Sequence, residues 1–236
     1  MSGYDSALTI FSPNGELLQV DYAAAAVKMG MCTIAIKCAD CVLYGVVKSQ
    51  GNKLQISKTV QKIHQIDNNI CTAFSGLNAD ARVLMNQVRI EAQSYRLNYE
   101  DDPSIEYMAR YVSKILQKYT QKGGSRPFGL SMYISGMTLD GQPKLFQLTP
   151  SGSIASWKAN AIGKGSEGVN ELLKKNYDDN MTRENGLALM ARCLFEVIDN
   201  PTANSEIAII DRNGTKYLSD DDRKLLCTKV EEENKK

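Results

Sequence analysis

The stretch KMGMCTIAIK, residues 28–37, decides how the fold of this chain is interpreted. Gly30 precedes a methionine, a cysteine and a threonine, and a short apolar run typical of a buried strand follows. Some hydrolases cut their own chain after such a glycine and use the new N-terminal cysteine, serine or threonine, whose α-amine acts as the base. Met31 has no nucleophilic oxygen or thiol. The stretch therefore indicates either a lost active site or cleavage one residue later, which would free Cys32.

The composition is that of an ordinary globular protein. The chain has 236 residues, of which 43% are hydrophobic and 23% charged, and its formal net charge is +1. This length can bury a substantial core in one large domain, and the small net charge gives no general attraction for nucleic acid. The sequence has no apolar run of the roughly 20 residues that a membrane helix needs. We therefore expect neither a nucleic-acid nor a membrane partner.

The six cysteines are scattered along the chain, and the N-terminal segment lacks the basic and apolar pattern of a signal peptide. A chain of this size does not need disulfides to support its core, so we expect free thiols in a reducing compartment. The cytoplasm and the nucleus are therefore the predicted location.

Turn residues and apolar periodicity predict blocks of strands that alternate with helices. Strands are expected at Thr33–Lys37, Val42–Lys48, KIHQID, ICTAFSG, the half-buried segment from Phe128 to Ile134, KLFQLT, SIASWKA and the hairpin EIAIIDRNGTKYL, whose Asn213–Gly214 pair favours a type I′ turn. Helices are expected at Glu16–Met29, Ala81–Tyr95, after an N-cap at Asp102, at Glu167–Tyr177, at Arg183–Ile198 and, as a short helix, after Ser219. This order indicates stacked antiparallel sheets with helices on both outer faces.

Two short motifs do not predict a site. GKGSEG, residues 163–168, has the spacing of a dinucleotide-binding loop, but the parallel strand that should follow its helix is missing. A glycine-rich joint between strand and helix is favoured. Cys38 and Cys41 form a CxxC that flanks a turn between strands, where small buried side chains are favoured over a redox or zinc pair. His64, the sole histidine, is favoured as a strand residue without a catalytic role.

The segment YDSALTIFSPNGELLQVDYAAAAV, residues 4–27, closely resembles the N-terminal signature of 20S proteasome alpha subunits. The likeness continues through SGLNADARVL, RIEAQSYRLNY, QKYTQKGGSRPFG, PSG and WKANAIGKG, and so covers nearly the whole chain. It implies an α+β fold, the four-layer αββα sandwich of N-terminal-nucleophile hydrolases, which agrees with the order of the elements.

The resemblance also implies which of the two possibilities at Gly30 holds. In catalytic beta subunits the nucleophilic threonine occupies the place of Met31, and the acid that orients the catalytic lysine occupies the place of Val47. Lys62 stands where that lysine would be, with no nucleophile to serve. The helix before Gly30 is retained in alpha subunits and lies across the cleft that admits substrate in a beta subunit. The implied protein therefore has no catalytic residue, no cofactor and no metal.

The implied function is that of a non-catalytic subunit that forms a seven-membered ring with other alpha subunits, contacts beta subunits, gates substrate entry and docks the C-terminal tails of regulatory ATPases or activators. The site residues carried over from the family are Lys62 and Gly76 for docking, Tyr4, Asp5, Pro13 and Tyr22 for the gate, and Lys122, Gly123, Gly124, Ser125 and Arg126 for a turn that lines the pore. The family's arginine after the Tyr–Asp pair is Ser6 here, so this tail lacks one salt bridge.

We expect a gating tail over residues 1–12, one αββα domain over residues 13–230 and a charged tail over residues 231–236. An alternative function is a self-processing hydrolase that uses Cys32 or Thr33. Intact mass distinguishes the two, because processing would remove roughly the first thirty residues to make the nucleophile N-terminal.

Overall fold

Antiparallel strands form the centre of the molecule in the computed structural model, which describes residues 10–48, 54 and 61–234. Within these ranges the strands are β1 (Thr33–Lys37), β2 (Val42–Val47), β3 (Ile63–Asp67), β4 (Ile70–Gly76), β5 (Leu130–Met137), β6 (Pro143–Leu148), β7 (Ile154–Ser156), β8 (Ala159–Ile162), β9 (Ser205–Asp211) and β10 (Gly214–Tyr217). They form two sheets, with the order β10-β9-β2-β1-β8 in sheet A and β3-β4-β5-β6-β7 in sheet B. All the pairings between these strands are antiparallel.

Helices cover the outer face of each sheet. The helices are α1 (Leu18–Met29), α2 (Asn78–Tyr99), α3 (Ile105–Gln121), α4 (Ser166–Asn176), α5 (Arg183–Val197), α6 (Pro201–Asn204) and α7 (Asp220–Asn234). The pair α2 and α3 packs on sheet B, and the pair α4 and α5 packs on sheet A. Short apolar repeats at helical spacing account for this packing, as in Met108, Val112 and Leu116 of α3, which are fully buried.

Three apolar layers hold these elements together. One layer lies between sheet B and its helices and contains Leu84 and Ile134, and another lies between sheet A and its helices and contains Ile36 and Leu194. The third lies between the sheets and contains the stacked rings of Tyr44 and Tyr133. The four-layer αββα sandwich is therefore confirmed.

Helix α1 is set apart from these pairs and packs against β4 and β5. It follows a turn in which the Gly15 N–H donates to the Ser12 carbonyl at 2.8 Å, with Pro13 in the second position, where its fixed φ is favourable. Ala23 and Val27 form the buried side of α1. The turn and the alanine-rich helix predicted from the sequence are both confirmed.

Strand β5 is fully buried along its whole length, so the prediction of a half-buried strand is wrong. Its residues alternate between two buried faces: Met132 and Ile134 face the helices, and Tyr133 faces sheet A. Serines flank this run at positions 131 and 135 and resemble solvent-facing residues in the sequence, but a hydroxyl group can be buried where it is hydrogen-bonded. The Ser131 hydroxyl, for example, donates to the Leu148 carbonyl at 2.7 Å.

Three local predictions are also wrong. Ser104, and not Asp102, caps α3, because its Oγ accepts the Tyr107 N–H at 3.1 Å. The β9–β10 hairpin is confirmed, but its turn is not type I′, because Asn213 does not have the positive φ that this type requires and Gly214 alone does. Helix α7 is 15 residues long rather than short, and its backbone extends into the segment predicted as a charged tail.

Candidate functional site: a closed nucleophile position and an open turn

The residues after Gly30 join α1 to β1, and the first candidate nucleophile among them, Cys32, is buried. Its side chain is 1% exposed and packs in the apolar layer between sheet A and its helices. Burial raises the pKa of the Cys32 thiol to about 12, although the nearby Lys62 ammonium opposes this shift. Because the thiolate is the nucleophilic form, a thiol with this pKa is unreactive at neutral pH.

Thr33, the second candidate, is fully buried and already has a structural role. Its Oγ1 donates a hydrogen bond of 2.9 Å to the Phe74 carbonyl. Thr33 belongs to sheet A and Phe74 to sheet B, so this bond links the two sheets at the end of the sandwich. A hydroxyl whose proton is held by a buried carbonyl is poorly placed to attack a substrate.

The position of the orienting acid is also apolar in this chain. Val47 is 4% exposed, and its N–H donates to the Cys32 carbonyl at 2.9 Å. Beside it, a cavity of about 320 Å³ is lined by Met31, Val47, Lys48 and residues 197–200 and 204. The Lys48 ammonium on its wall lies 3.4 Å from a Glu206 oxygen. Among the described residues that line this cavity, none carries a hydroxyl or thiol side chain.

Lys62 is buried rather than displayed on the surface. It is 5% exposed, and its Nζ lies 5.5 Å from the centre of the Phe74 ring, within the range of a cation–π contact. Burial lowers the pKa of Lys62, and the thiol of Cys32 acts in the opposite direction. In the part of the chain that the structure describes, no carboxylate forms an ion pair with this ammonium.

The C-terminal end of α1 is fixed at a crowded joint. The Ser75 Oγ lies 3.2 Å from the Val27 carbonyl oxygen and 3.0 Å from that of Met31, and the Lys164 N–H donates to the Gly30 carbonyl at 2.8 Å. A Cβ atom on Gly30 would lie 2.5 Å from the same Ser75 Oγ. The segment just before the nucleophile position is therefore packed into the fold.

Gly76 ends β4 at this joint with a backbone conformation that only glycine adopts readily. Its φ is +118°, and a Cβ atom there would lie 2.8 Å from Leu130 Cα and closer still to the Gly129 carbonyl oxygen. Lys62 contacts Phe74, two residues earlier on the same strand. The structure thus places the two predicted docking residues against one strand end.

The predicted pore turn, residues 122–126, follows α3 directly and is open to solvent at its glycines. Among the described residues, a Cβ atom on Gly123 or Gly124 would meet nothing within 4 Å. At the far end of the turn the Arg126 guanidinium donates to both oxygens of Asp80, at 2.6 and 2.7 Å. Arg126 is therefore anchored to the start of α2.

Asp80 is the residue at this turn that the sequence analysis did not single out. It lies within SGLNADARVL, in the first turn of α2, where a carboxylate is favoured by the helix dipole. Besides the two bonds from Arg126, it accepts the Gly129 N–H at 3.0 Å. The hydrogen bonds from Arg126 lower the pKa of Asp80, and that from Gly129 adds to the shift. Since Gly129 also contacts Gly76, Asp80 connects the turn to the predicted docking residues.

The gate residues are only partly within the described ranges. Tyr4 and Asp5 lie outside them. Pro13 lies in the turn before α1, and Tyr22 lies on α1 with 49% of its surface exposed.

The weaker motifs of the sequence are placed in the core or at joints. Residues 163–168 form the joint from β8 into the first turn of α4, and β8 pairs antiparallel with β1, unlike the first strand of a dinucleotide fold. His64 stacks on the Phe74 ring at 5.9 Å, and burial lowers its pKa. Cys38 and Cys41 are free and buried.

The described ranges contain neither a metal cluster nor a membrane helix. No group of three or more histidine, cysteine, aspartate or glutamate side chains there is arranged to hold a metal ion. No helix there combines the length and the apolar character that crossing a membrane would require.

Comparison with known proteins identifies the class. Residues 27–210 match the family model of the proteasome subunit, and residues 4–26 match the separate model of the N-terminal signature of A-type proteasome subunits. These matches cover most of the chain and include the nucleophile position and the 122–126 turn. The chain therefore belongs to the proteasome subunit family, and its N-terminal signature is that of the alpha type.

Curated relatives agree with this assignment over nearly their full length. The chain is 43% identical to the alpha type-7 proteasome subunit of Dictyostelium discoideum, with 99% of this chain and 94% of the relative covered. It is 45% identical to the alpha type-7-like proteasome subunit of Macaca fascicularis, with 98% and 94% covered. It is 44% identical to the alpha type-4 proteasome subunit of Saccharomyces cerevisiae, with 99% and 94% covered. Alpha type 7 is thus named in two of these three relatives, and alpha type 4 in the third.

Proposed function

We propose that this chain is a non-catalytic subunit of the alpha ring of a 20S proteasome, which supports the ring and controls substrate entry. The observation that carries the proposal is the closed nucleophile position. Cys32 and Thr33 are both buried, the Cys32 thiol is protonated at neutral pH, and the Thr33 hydroxyl is held by the Phe74 carbonyl. The joint at Ser75 supports retention of α1.

The test is intact mass combined with reaction towards an epoxyketone probe that forms a covalent adduct with N-terminal threonines. We expect the mass of the unprocessed chain and no adduct, because no nucleophile becomes N-terminal. A mass that lacks roughly the first thirty residues, or an adduct at Cys32 or Thr33, would instead establish the self-processing hydrolase.

In the assembled particle, Lys62 is proposed to receive the C-terminal carboxylate of a regulatory ATPase or activator tail. Its ammonium is buried beside Phe74 without an ion-paired carboxylate among the described residues. A buried charge without a counter-charge is costly, so an incoming carboxylate would gain a charge-assisted hydrogen bond and relieve that cost. Gly76 ends the same strand and is proposed to meet the backbone of the tail through its own peptide groups, since the direction that a Cβ would take is filled by Gly129 and Leu130.

A tail peptide with a free carboxylate and the same peptide with a C-terminal amide test this proposal in assembled particles. Lys62→Met should weaken binding of the free acid by about tenfold and leave the amide almost unchanged, since a charge-assisted contact contributes about 1.5–3 kcal/mol. Lys28→Met, at an exposed lysine of α1, is the matched control. Equal affinity of both peptides for the unmodified particle would contradict the role of Lys62.

The turn of residues 122–126 is proposed to line the axial pore, and the segment 1–12, with Tyr4, Asp5, Pro13 and Tyr22, to act in the gate. A bulky pair at Gly123 and Gly124 should slow the entry of unfolded protein more than that of short peptides. Deletion of residues 1–9 should raise peptide hydrolysis without activator. Equal slowing of unfolded protein and of short peptides would contradict the pore role of the turn. Peptide hydrolysis that the deletion leaves unchanged would contradict the gate role of the segment.

The proposed partners are other alpha subunits in a seven-membered ring, beta subunits, and the tails of regulatory ATPases or activators. The support is the family match and the alpha signature. The cytoplasm and nucleus are the proposed location. Fluorescence microscopy of the tagged chain tests the location, and electron microscopy of the purified protein tests ring formation.

A further inference from the structure

Cys38 and Cys41 face each other at the end of the β1–β2 hairpin. The ladder pairs Lys37 with Val42, and the Cys38 N–H donates to the Cys41 carbonyl at 2.8 Å, which makes the two cysteines the next pair. Residues that face each other in this way have Cα atoms about 5.5 Å apart. Disulfides span about 4.4–6.8 Å between Cα atoms, so the backbone admits a disulfide here without separation of the strands.

The two sulfur atoms are also on the same side of sheet A. Both side chains belong to the apolar layer beneath α5, and a Cβ atom on Gly186 of α5 would lie 2.5 Å from Cys38 Sγ. Each thiol shifts the pKa of the other. The adjoining residues of the turn, Ala39 and Asp40, are exposed, so the pair lies one residue from solvent.

The surroundings distinguish the two thiols. The hydrogen bond from Cys41 lowers the pKa of Cys38, and the Arg183 guanidinium also lowers it. Burial and the Asp40 charge raise this pKa but do not outweigh the lowering. The same hydrogen bond raises the pKa of Cys41. Arg183 is held near the turn by Asp40 at 3.0 Å and by Asp211 at 3.1 Å. Cys38 is thus the thiol that more readily forms the nucleophilic thiolate.

We propose that Cys38 and Cys41 form a redox site, in which hydrogen peroxide or a similar small hydroperoxide converts the two thiols into an intramolecular disulfide. The Cys38 thiolate attacks one peroxide oxygen, the O–O bond breaks and hydroxide leaves, which gives a sulfenic acid. The Cys41 sulfur then attacks the Cys38 sulfur, and its proton departs with the sulfenic hydroxyl as water. The two thiols lose two electrons, and the peroxide gains them.

Peptide mapping tests this directly, because cleavage after Lys37 and Lys48 releases both cysteines in the single peptide CADCVLYGVVK. The reduced full chain is exposed to hydrogen peroxide, quenched with catalase, unfolded in N-ethylmaleimide and digested. We expect this peptide to lose the mass of two hydrogen atoms and to take up no maleimide, and dithiothreitol to reverse both changes. Disulfide formation should be about tenfold faster than oxidation of Cys71, since thiolate character controls the rate.

Cys71 is the matched control, because it is equally buried, its pKa is raised to about 12, and it donates to the His64 carbonyl. Single alanine variants test the order of attack: Cys41→Ala should accumulate a sulfenic acid at Cys38, which dimedone labels, more rapidly than Cys38→Ala does at Cys41. Thermal unfolding of both variants checks that they fold. A peptide that remains doubly alkylated after peroxide, or that is oxidised no faster than Cys71, would overturn the proposal.

Discussion

Two regions of the molecule are rich in glycine and use it for opposite reasons. At the joint below α1, a side chain on Gly30, Gly76 or Gly163 would overlap atoms of neighbouring segments, including backbone. At the turn of residues 122–126, a Cβ atom on Gly123 or Gly124 would meet no atom of the described part of the chain within 4 Å. The joint needs glycine because the space is filled, whereas the described residues leave the space at the turn open, and there only the positive φ of Gly124 favours glycine.

This difference corresponds to the two parts of the proposed function. The filled joint fixes α1 and closes the position where a catalytic subunit would hold its nucleophile. The open turn leaves surface free at the end of α3, where the proposed pore requires unobstructed space. Asp80 lies between the two regions, since it holds Arg126 of the turn and the Gly129 N–H beside Gly76.

Gly76→Ala is the change with the largest expected effect. The new Cβ would overlap the Gly129 carbonyl and Leu130 Cα, and alanine at a φ of +118° is strained. Overpacking and backbone strain each cost about 1–3 kcal/mol, so we expect the free energy of unfolding to fall by about 4 kcal/mol. Urea denaturation of the purified chain measures it, with Gly123→Ala as control. A loss no greater than that of the control would show that the joint is loosely packed.

Asp80→Asn tests the connection between the two regions. The variant keeps the shape of the side chain but removes the charge that accepts both bonds from Arg126. A charge-assisted hydrogen bond contributes about 1.5–3 kcal/mol. The Arg126 side chain is 61% exposed, so solvent screening reduces this value and we expect a loss of about 2 kcal/mol.

The pH dependence gives a second readout of Asp80. Its pKa is lowered in the folded state, so its stabilising contribution is present above the ordinary value of about 4 and is lost as pH falls through the lower folded value. The difference in unfolding free energy between the original chain and Asp80→Asn should therefore be constant near neutral pH and vanish in acid. A difference that is independent of pH would contradict the ion pair.

Thr33→Val tests the bond between the sheets at the closed nucleophile position. Valine has almost the same shape but cannot donate to the Phe74 carbonyl, so one buried hydrogen bond of 2.9 Å is lost. We expect about 1.5 kcal/mol of destabilisation in urea. Thr33→Ser retains the hydroxyl and isolates the loss of a methyl group. Destabilisation of Thr33→Ser alone would assign the role of Thr33 to apolar packing.

Much of the fold was predictable because its signals are local. The turn at Pro13, the apolar stripe of α3 and the hairpin before Gly214 depend on neighbouring residues, and the sequence displays them. The corrected details depend on distant partners. Asp102 has the side chain of an N-cap but pairs with Arg96 at 2.7 Å, which leaves the cap to Ser104.

The site was predicted less completely, and for the same reason. The resemblance identified Met31, Val47 and Lys62 as positions, but the burial of Lys62 beside Phe74 depends on how β3 and β4 pack. Asp80 and Arg126 are 46 residues apart, and neither one alone indicates the bond between them. The resemblance to the family identified which positions correspond to the catalytic residues. Only the packing of the strands and helices showed what the side chains at these positions contact.

Gly124→Ala and Gly123→Ala have the smallest expected effects and define the open region most sharply. Gly124 has a φ of +85°, and an L-residue in a left-handed conformation costs about 1 kcal/mol even without a clash. Gly123 does not have a positive φ, so alanine there should leave the unfolding free energy within about 0.5 kcal/mol. Urea denaturation of the two variants side by side measures this difference. If Gly123→Ala were as damaging as Gly76→Ala, the turn would have to pack against atoms other than those of the described residues, and the contrast between the two regions would fail.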